Sequence, residues 1–138
     1  MIRPTSVGTI VDSNVLIDVM TDDPTWGQWS SEQLGLALAR GAALINPIIY
    51  AETSVPFERL EDLDEALPSR VAREELPWEA AFLAGKAHLA YRRAGGARRS
   101  PLPDFYIGAH AALTGRALLT RDRARYEAHF PRLTLIAP

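Results

Sequence analysis

Three short apolar runs, each broken off by a polar residue, restrict the fold more than any other feature of this chain. Thr9-Ile10-Val11 stops at Asp12-Ser13-Asn14, Ala42-Ala43-Leu44-Ile45 stops at Asn46-Pro47, and Ala117-Leu118-Leu119-Thr120 stops at Arg121-Asp122. Runs this brief, apolar on both faces, read as strands buried on both sides of a sheet. A fourth run, Leu133 to Ile136, closes the chain. The stretches between them carry helical spacing, and strands alternating with helices predict an α/β fold: a parallel sheet with helices on both faces.

The intervening helices have legible ends. One is expected from about Pro24 to Arg40, stopped by Gly41. Asn46-Pro47 supplies a cap and a first-turn proline for a helix to about Leu60, which Pro56 should bend or divide. Glu61 to Glu75 reads as an acidic helix interrupted by Pro68. Leu76-Pro77-Trp78 opens a helix to Arg93 that Gly95-Gly96 ends. Asp104 opens an alanine-rich helix to about Leu113, and Arg121-Asp122 a short one to about His129.

With 138 residues the chain is expected to form one domain with a real core. No apolar run reaches the length of a membrane span, and Met1 to Ser6 lacks the apolar core of a secretion signal. The chain has no cysteine, which excludes disulfides and thiolate metal sites. A cytoplasmic protein is the expectation. The net charge of −2 does not suggest a nucleic-acid binder, but its distribution is uneven. Arg92, Arg93, Arg98, Arg99, Arg116, Arg121, Arg123 and Arg125 crowd a segment with only Asp104 and Asp122 as acids. Such asymmetry points to an anionic partner or a complementary acidic face; solvated surface arginines are the plainer reading.

Four acids stand where the chemistry of such a fold collects. Asp12 and Asp122 follow strands at their carboxyl ends. Glu52 lies on the helix after the second strand among Ile48, Ile49, Tyr50, Ala51 and Val55, and Asp104 follows Pro101-Leu102-Pro103 at a helix start. Strand ends and following helix starts share one rim of a parallel sheet, so the four can meet. Clustered carboxylates need a cation to stay ionised together, and oxygen ligands without cysteine or a histidine cluster suit Mg²⁺ or Mn²⁺. Such ions are common apparatus for phosphodiester hydrolysis. Asp12, Asp104 and Asp122 are each equally suited to capping a helix. Ser13, Asn14 and Thr120 are candidate donors that hold the carboxylates, or else caps and turn residues. His88, His110 and His129 have no ligand spacing and read as surface or core-edge residues, and Asp18 as a capping or surface acid.

At these residues the chain resembles a known family. Val11-Asp12-Ser13-Asn14-Val15-Leu16-Ile17-Asp18, Tyr50-Ala51-Glu52, Pro103-Asp104-Phe105-Tyr106-Ile107-Gly108-Ala109-His110-Ala111 and Leu119-Thr120-Arg121-Asp122 resemble the PIN-domain nucleases, and more narrowly the VapC toxins of toxin–antitoxin modules. The resemblance spans nearly the whole chain. It implies a three-layer sandwich with a mostly parallel central sheet and an Mg²⁺- or Mn²⁺-dependent endoribonuclease. Asp12, Glu52, Asp104 and Asp122 match the family's four acidic positions, Asn14 and Thr120 its supporting polar positions. It also implies a homodimer and a cognate antitoxin whose tail enters the active-site groove. With RNA as substrate, Arg121 and Arg123, then Arg98 and Arg99, become candidates for gripping its backbone; that assignment comes from charge and position, not from a family motif.

Two rivals are weaker. A phosphotransferase of the haloacid dehalogenase type would need a second Asp where Asn14 stands and a later lysine, whereas Lys86 is the only lysine and sits mid-helix. A PIN-like module that binds RNA or a protein without cutting is opposed by the complete acid set.

Overall fold

A computed structural model describes residues 8–98 and 102–138. Among the described residues the chain order is β1 (Thr9–Val11), α1 (Ser13–Thr21), α2 (Gly27–Arg40), β2 (Ala43–Ile45), α3 (Pro47–Ser54), α4 (Leu60–Ala66), β3 (Val71–Arg73), α5 (Trp78–Arg93), α6 (Pro103–Thr114), β4 (Ala117–Leu119), α7 (Arg123–Glu127) and β5 (Leu135–Ile136). The sheet order is β3-β2-β1-β4-β5, and every pairing is parallel. The expected α/β sandwich is therefore present.

The central strand explains the architecture. Ile10 and Val11 are fully buried and Thr9 nearly so, which requires cover on both faces of the sheet. Val15 and Leu16 of α1, Ile49 of α3, Ile107 and Ala111 of α6 and Tyr126 of α7 provide it, packed with Leu118 and Leu119. A second cluster (Ala80, Ala84, Phe105, Ala109 and Phe130) joins α5 to α6. Its small residues allow close approach: a Cβ on Gly108 would lie 2.5 Å from the Phe130 ring. Gly115, at φ 70°, closes α6 in the left-handed conformation that glycine adopts without penalty.

One strand departs from expectation. Val71-Ala72-Arg73, expected within a helix from Glu61 to Glu75, is an edge strand in register with Ala43, Leu44 and Ile45. Pro68 disfavours helical geometry in the residue before it, so Leu67 is extended and α4 ends at Ala66. The strand's largely exposed side chains give no apolar run to read; the open edge of β2 recruits it. Other boundaries shift less. The helix expected from Pro24 begins at Gly27, because Asp23 Oδ2 accepts from the N–H groups of Thr25 (3.0 Å) and Trp26 (2.7 Å) and holds them in a turn. The helix expected to reach Leu60 stops at Ser54, before Pro56. Among the described residues no helix is long and apolar enough to cross a membrane.

Candidate active site

The carboxyl ends of β1 and β4 are adjacent, and Asp12 sits there, 1% exposed. It caps α1: Oδ1 accepts from the Ser13 N–H at 2.8 Å. Oδ2 accepts from the Thr120 hydroxyl at 2.8 Å, the Tyr126 hydroxyl at 2.8 Å and Asn14 Nδ2 at 3.5 Å. A buried carboxyl without such donors would be prohibitively costly, and these contacts satisfy it and fix its orientation. Thr120 uses its hydroxyl fully, accepting from Asn14 Nδ2 (3.3 Å) and the Asp122 N–H (3.1 Å) while donating to Asp12. Asn14 Oδ1 takes the Arg121 N–H at 3.2 Å. One network thus ties the start of α1 to the loop carrying Asp122.

The other three acids face the same place. Glu52 on α3 accepts from the Ser13 hydroxyl at 3.1 Å. Burial, and then the neighbouring charges of Asp12 and Asp104, push its carboxyl above the usual range against that bond. Burial likewise raises Asp104, in the first turn of α6; Arg125 opposes the shift while Asp12 and Asp122 add to it. Asp122 caps α7 through the Arg125 N–H (3.4 Å), and its side chain is more exposed than that of Asp104. The acids therefore feel one another, yet among the described residues no three sit close enough to cage a metal ion. The donor set still fits a hard dication: it is all oxygen, and Glu52 and Asp104 are both held toward protonation by burial and like charge.

Sequence reasoning missed several members. Tyr126 lies on the inward side of α7, and burial beside Asp12 raises its pKa far enough that the hydroxyl is always a donor. Arg125 places Nε 2.9 Å from Asp122 Oδ2 and a terminal nitrogen 3.8 Å from Asp104 Oδ1. It is the cation among the acids, and only its place in the arginine-rich segment hinted at this.

The arginines divide. Arg121, expected to grip RNA, turns inward: it donates to Asp18 Oδ1 at 3.1 Å, its Nε lies 2.7 Å from Oδ2, and its guanidinium covers the Trp26 ring at 5.4 Å. Asp18 is thus not a surface acid but 2% exposed, and it also accepts from the Ser30 hydroxyl at 2.7 Å. Its position among the buried residues of α1 was the available signal. Arg123 is exposed on α7, and Arg98 is exposed too; Arg99 lies outside the described residues.

His110 corrects the expectation of a surface or core-edge residue. It is wholly buried, with Nδ1 2.9 Å from Asn46 Nδ2 and Nε2 2.8 Å from Glu74 Oε1. On α6 its side chain lies between Asn46 at the start of α3 and Glu74 just after β3. His88 and His129 join an aromatic group with Tyr91 and Phe105. A cleft of about 290 Å³ opens beside Asn46, Tyr50, Arg73 and Glu74, and none of the four acids lines it. Tyr50 and Arg73 there are already paired within the chain, both bonding Asp64 Oδ1 at 2.7 Å.

Comparison with known proteins agrees with this architecture. The chain is similar in fold to VapBC2 from Rickettsia felis bound to a DNA fragment from their promoter, at TM-score 0.74 and 17% identity over 96% of this chain and 99% of that one. It is similar to DNA-bound VapBC from Salmonella typhimurium, at 0.69 and 22% over 95% and 98%. A toxin–antitoxin complex from Klebsiella pneumoniae gives 0.66 and 20% over 93% and 95%. Among curated protein sequences none matches this chain. The PIN domain model matches residues 9–130, from the first strand through the cluster that ends at Phe130, and the chain belongs to the PIN-domain family.

Proposed function

We propose that this protein is an Mg²⁺- or Mn²⁺-dependent endoribonuclease that acts as the toxin of a toxin–antitoxin module, as a single nuclease domain over residues 1–138 in the cytoplasm. What supports it is that Asp12, Glu52, Asp104 and Asp122 lie within one another's electrostatic reach, with Glu52 and Asp104 destabilised as anions by burial and by their neighbours. These four would hold the ion, which when bound supplies an activated water and charge stabilisation for phosphodiester hydrolysis. The chain's own contribution is positioning. Thr120, Tyr126 and Asn14 hold Asp12, Ser13 holds Glu52, and the network through Thr120 fixes the Asp122 backbone. Exposed Arg123, with Arg98 and Arg99, would draw the polyanion to the rim.

The partners follow from the same assignment. Solved structures similar in fold are those of VapBC2, of DNA-bound VapBC and of a toxin–antitoxin complex, which supports a cognate antitoxin. A second copy is supported by α5, where Trp78 is 88% exposed, Phe82 68% and Leu89 40%, residues four and seven positions apart and so on one side.

The test is cleavage of structured RNAs in Mg²⁺, Mn²⁺ and EDTA, with Asp104→Asn prepared identically. Metal-dependent cleavage by the native chain, reduced at least about 100-fold in the variant, is expected. Equal cleavage by both would remove Asp104 from the site. A second reading, a module that binds without cutting, is favoured by one observation: no three acids among the described residues form a cage. Absence of metal binding by calorimetry, together with no cleavage of any RNA, would favour it.

A further inference from the structure

The charge arrangement around Asp104 and Asp122 contains its own cation. Arg125 reaches Asp122 Oδ2 with Nε at 2.9 Å and stands 3.8 Å from Asp104 Oδ1. These two acids come from different elements, α6 and the loop before α7, and both are carboxylates that an ion at this rim would require. Arg125 is also placed by its own backbone, since its N–H donates to Asp122 Oδ1 at 3.4 Å. Its side chain is 51% exposed, so it can leave the acids for water without unfolding anything. The neighbouring Tyr126 is fully buried and bonded to Asp12, which anchors the helix from which Arg125 extends. The acids lie within one another's fields but do not converge as a cage, while a guanidinium lies beside two of them.

We propose that Arg125 is the site's own counter-cation, which a divalent ion must displace from Asp104 and Asp122 in order to bind. The proposal rests on the assignment of these acids to a metal. An arginine beside two carboxylates pairs its charge with both in the absence of metal, closely with Asp122 at 2.9 Å and more loosely with Asp104 at 3.8 Å. The ion and the guanidinium then compete for the same oxygens, so Arg125 weakens metal binding while keeping the metal-free site folded. Once displaced, the half-exposed guanidinium sits at the rim, free to meet a phosphate, and an anionic substrate would favour metal entry by holding Arg125 away.

The experiment is calorimetric titration of Mn²⁺ into the native chain, Arg125→Gln, Arg125→Lys and Asp104→Asn. Arg132→Gln is the control for loss of one positive charge, because Arg132 is exposed and outside the site. Thermal melts establish that each variant is folded. Arg125→Gln should bind Mn²⁺ about tenfold more tightly than the native chain, equivalent to about 1.4 kcal/mol. Arg125→Lys should fall between them, and Arg132→Gln should stay at the native value. Equal or weaker Mn²⁺ binding by folded Arg125→Gln would overturn the proposal, as would an equal gain in Arg132→Gln. Loss of binding in Asp104→Asn locates the ion at these acids. If the folded native chain and Arg125→Gln both bind no Mn²⁺, the metal assignment itself fails and takes the proposal with it, a result distinct from binding that ignores Arg125.

Discussion

Replacing Asn46 with Asp should reverse the sign with which His110 links stability to pH. In the native chain Asn46 Oδ1 accepts from the Ile49 N–H at 2.9 Å, which leaves Nδ2 facing His110 Nδ1 at 2.9 Å. Nδ2 can only donate, so Nδ1 must accept, and the ring proton sits on Nε2, donating to Glu74 Oε1 at 2.8 Å. Protonating His110 would set two N–H groups against each other inside the core. Burial lowers its pKa, and the bond to Glu74 only partly opposes that. The unfolded chain therefore binds a proton below about pH 6.5 that the folded chain refuses, and stability falls as pH drops. The slope is at most about 1.4 kcal/mol per pH unit, so roughly 1.4 kcal/mol is lost by pH 5.5. Glu74 is also pulled low: Arg116 and His110 together outweigh the upward push of its burial, so its own loss begins below about pH 4.5, outside the range that matters here. In Asn46→Asp both oxygens accept. One keeps the Ile49 cap and the other requires an N–H on Nδ1, so the ring becomes an imidazolium between two carboxylates, with its pKa raised above 6.5. Its contribution is then complete below about pH 6.5 and disappears as pH rises through the raised value. Urea denaturation at about pH 5.5, 6.5 and 7.5 reads this directly, because the other titrating groups cancel in the difference between the two proteins. The variant should gain on the native chain as pH falls. A difference that is flat, or that grows the other way, would refute the assigned tautomer.

The remaining predictions concern the two classes of arginine, one glycine and one exposed aromatic. Arg123→Gln should weaken RNA binding and make its dependence on log salt shallower by about 0.7, the value for one phosphate contact on a single strand. Arg121→Gln should instead cost about 1.5–3 kcal/mol of stability by removing the counter-charge of buried Asp18, with little change in salt slope; the reverse pattern would return Arg121 to the RNA. Gly108→Ala should destabilise by about 1–2 kcal/mol in urea, because its methyl would lie 2.5 Å from Phe130 and the gain in helix propensity only partly offsets the clash. Trp78→Glu should leave stability within about 0.5 kcal/mol while halving the mass seen by light scattering; an unchanged dimer would move the interface off α5.

Local causes determine part of this fold. A β-branched run ending in Asp12, the Asn46-Pro47 cap and the Gly115 stop act within a few residues, and their geometry follows from steric and capping rules that hold in any fold. Those signals place the strand ends, and with them the rim where Asp12 and Asp122 follow β1 and β4. The tertiary structure decided the rest. Val71 to Arg73 becomes a strand because β2 offers an open edge, not because its own residues demand one. Tyr126 reaches Asp12 across 114 positions and Arg121 reaches Asp18 across 103, so no window of sequence contains either pair. His110 and Asp18 look like ordinary polar residues until packing removes water from them. Burial then makes each donor obligatory, and that cost exists only in the folded chain.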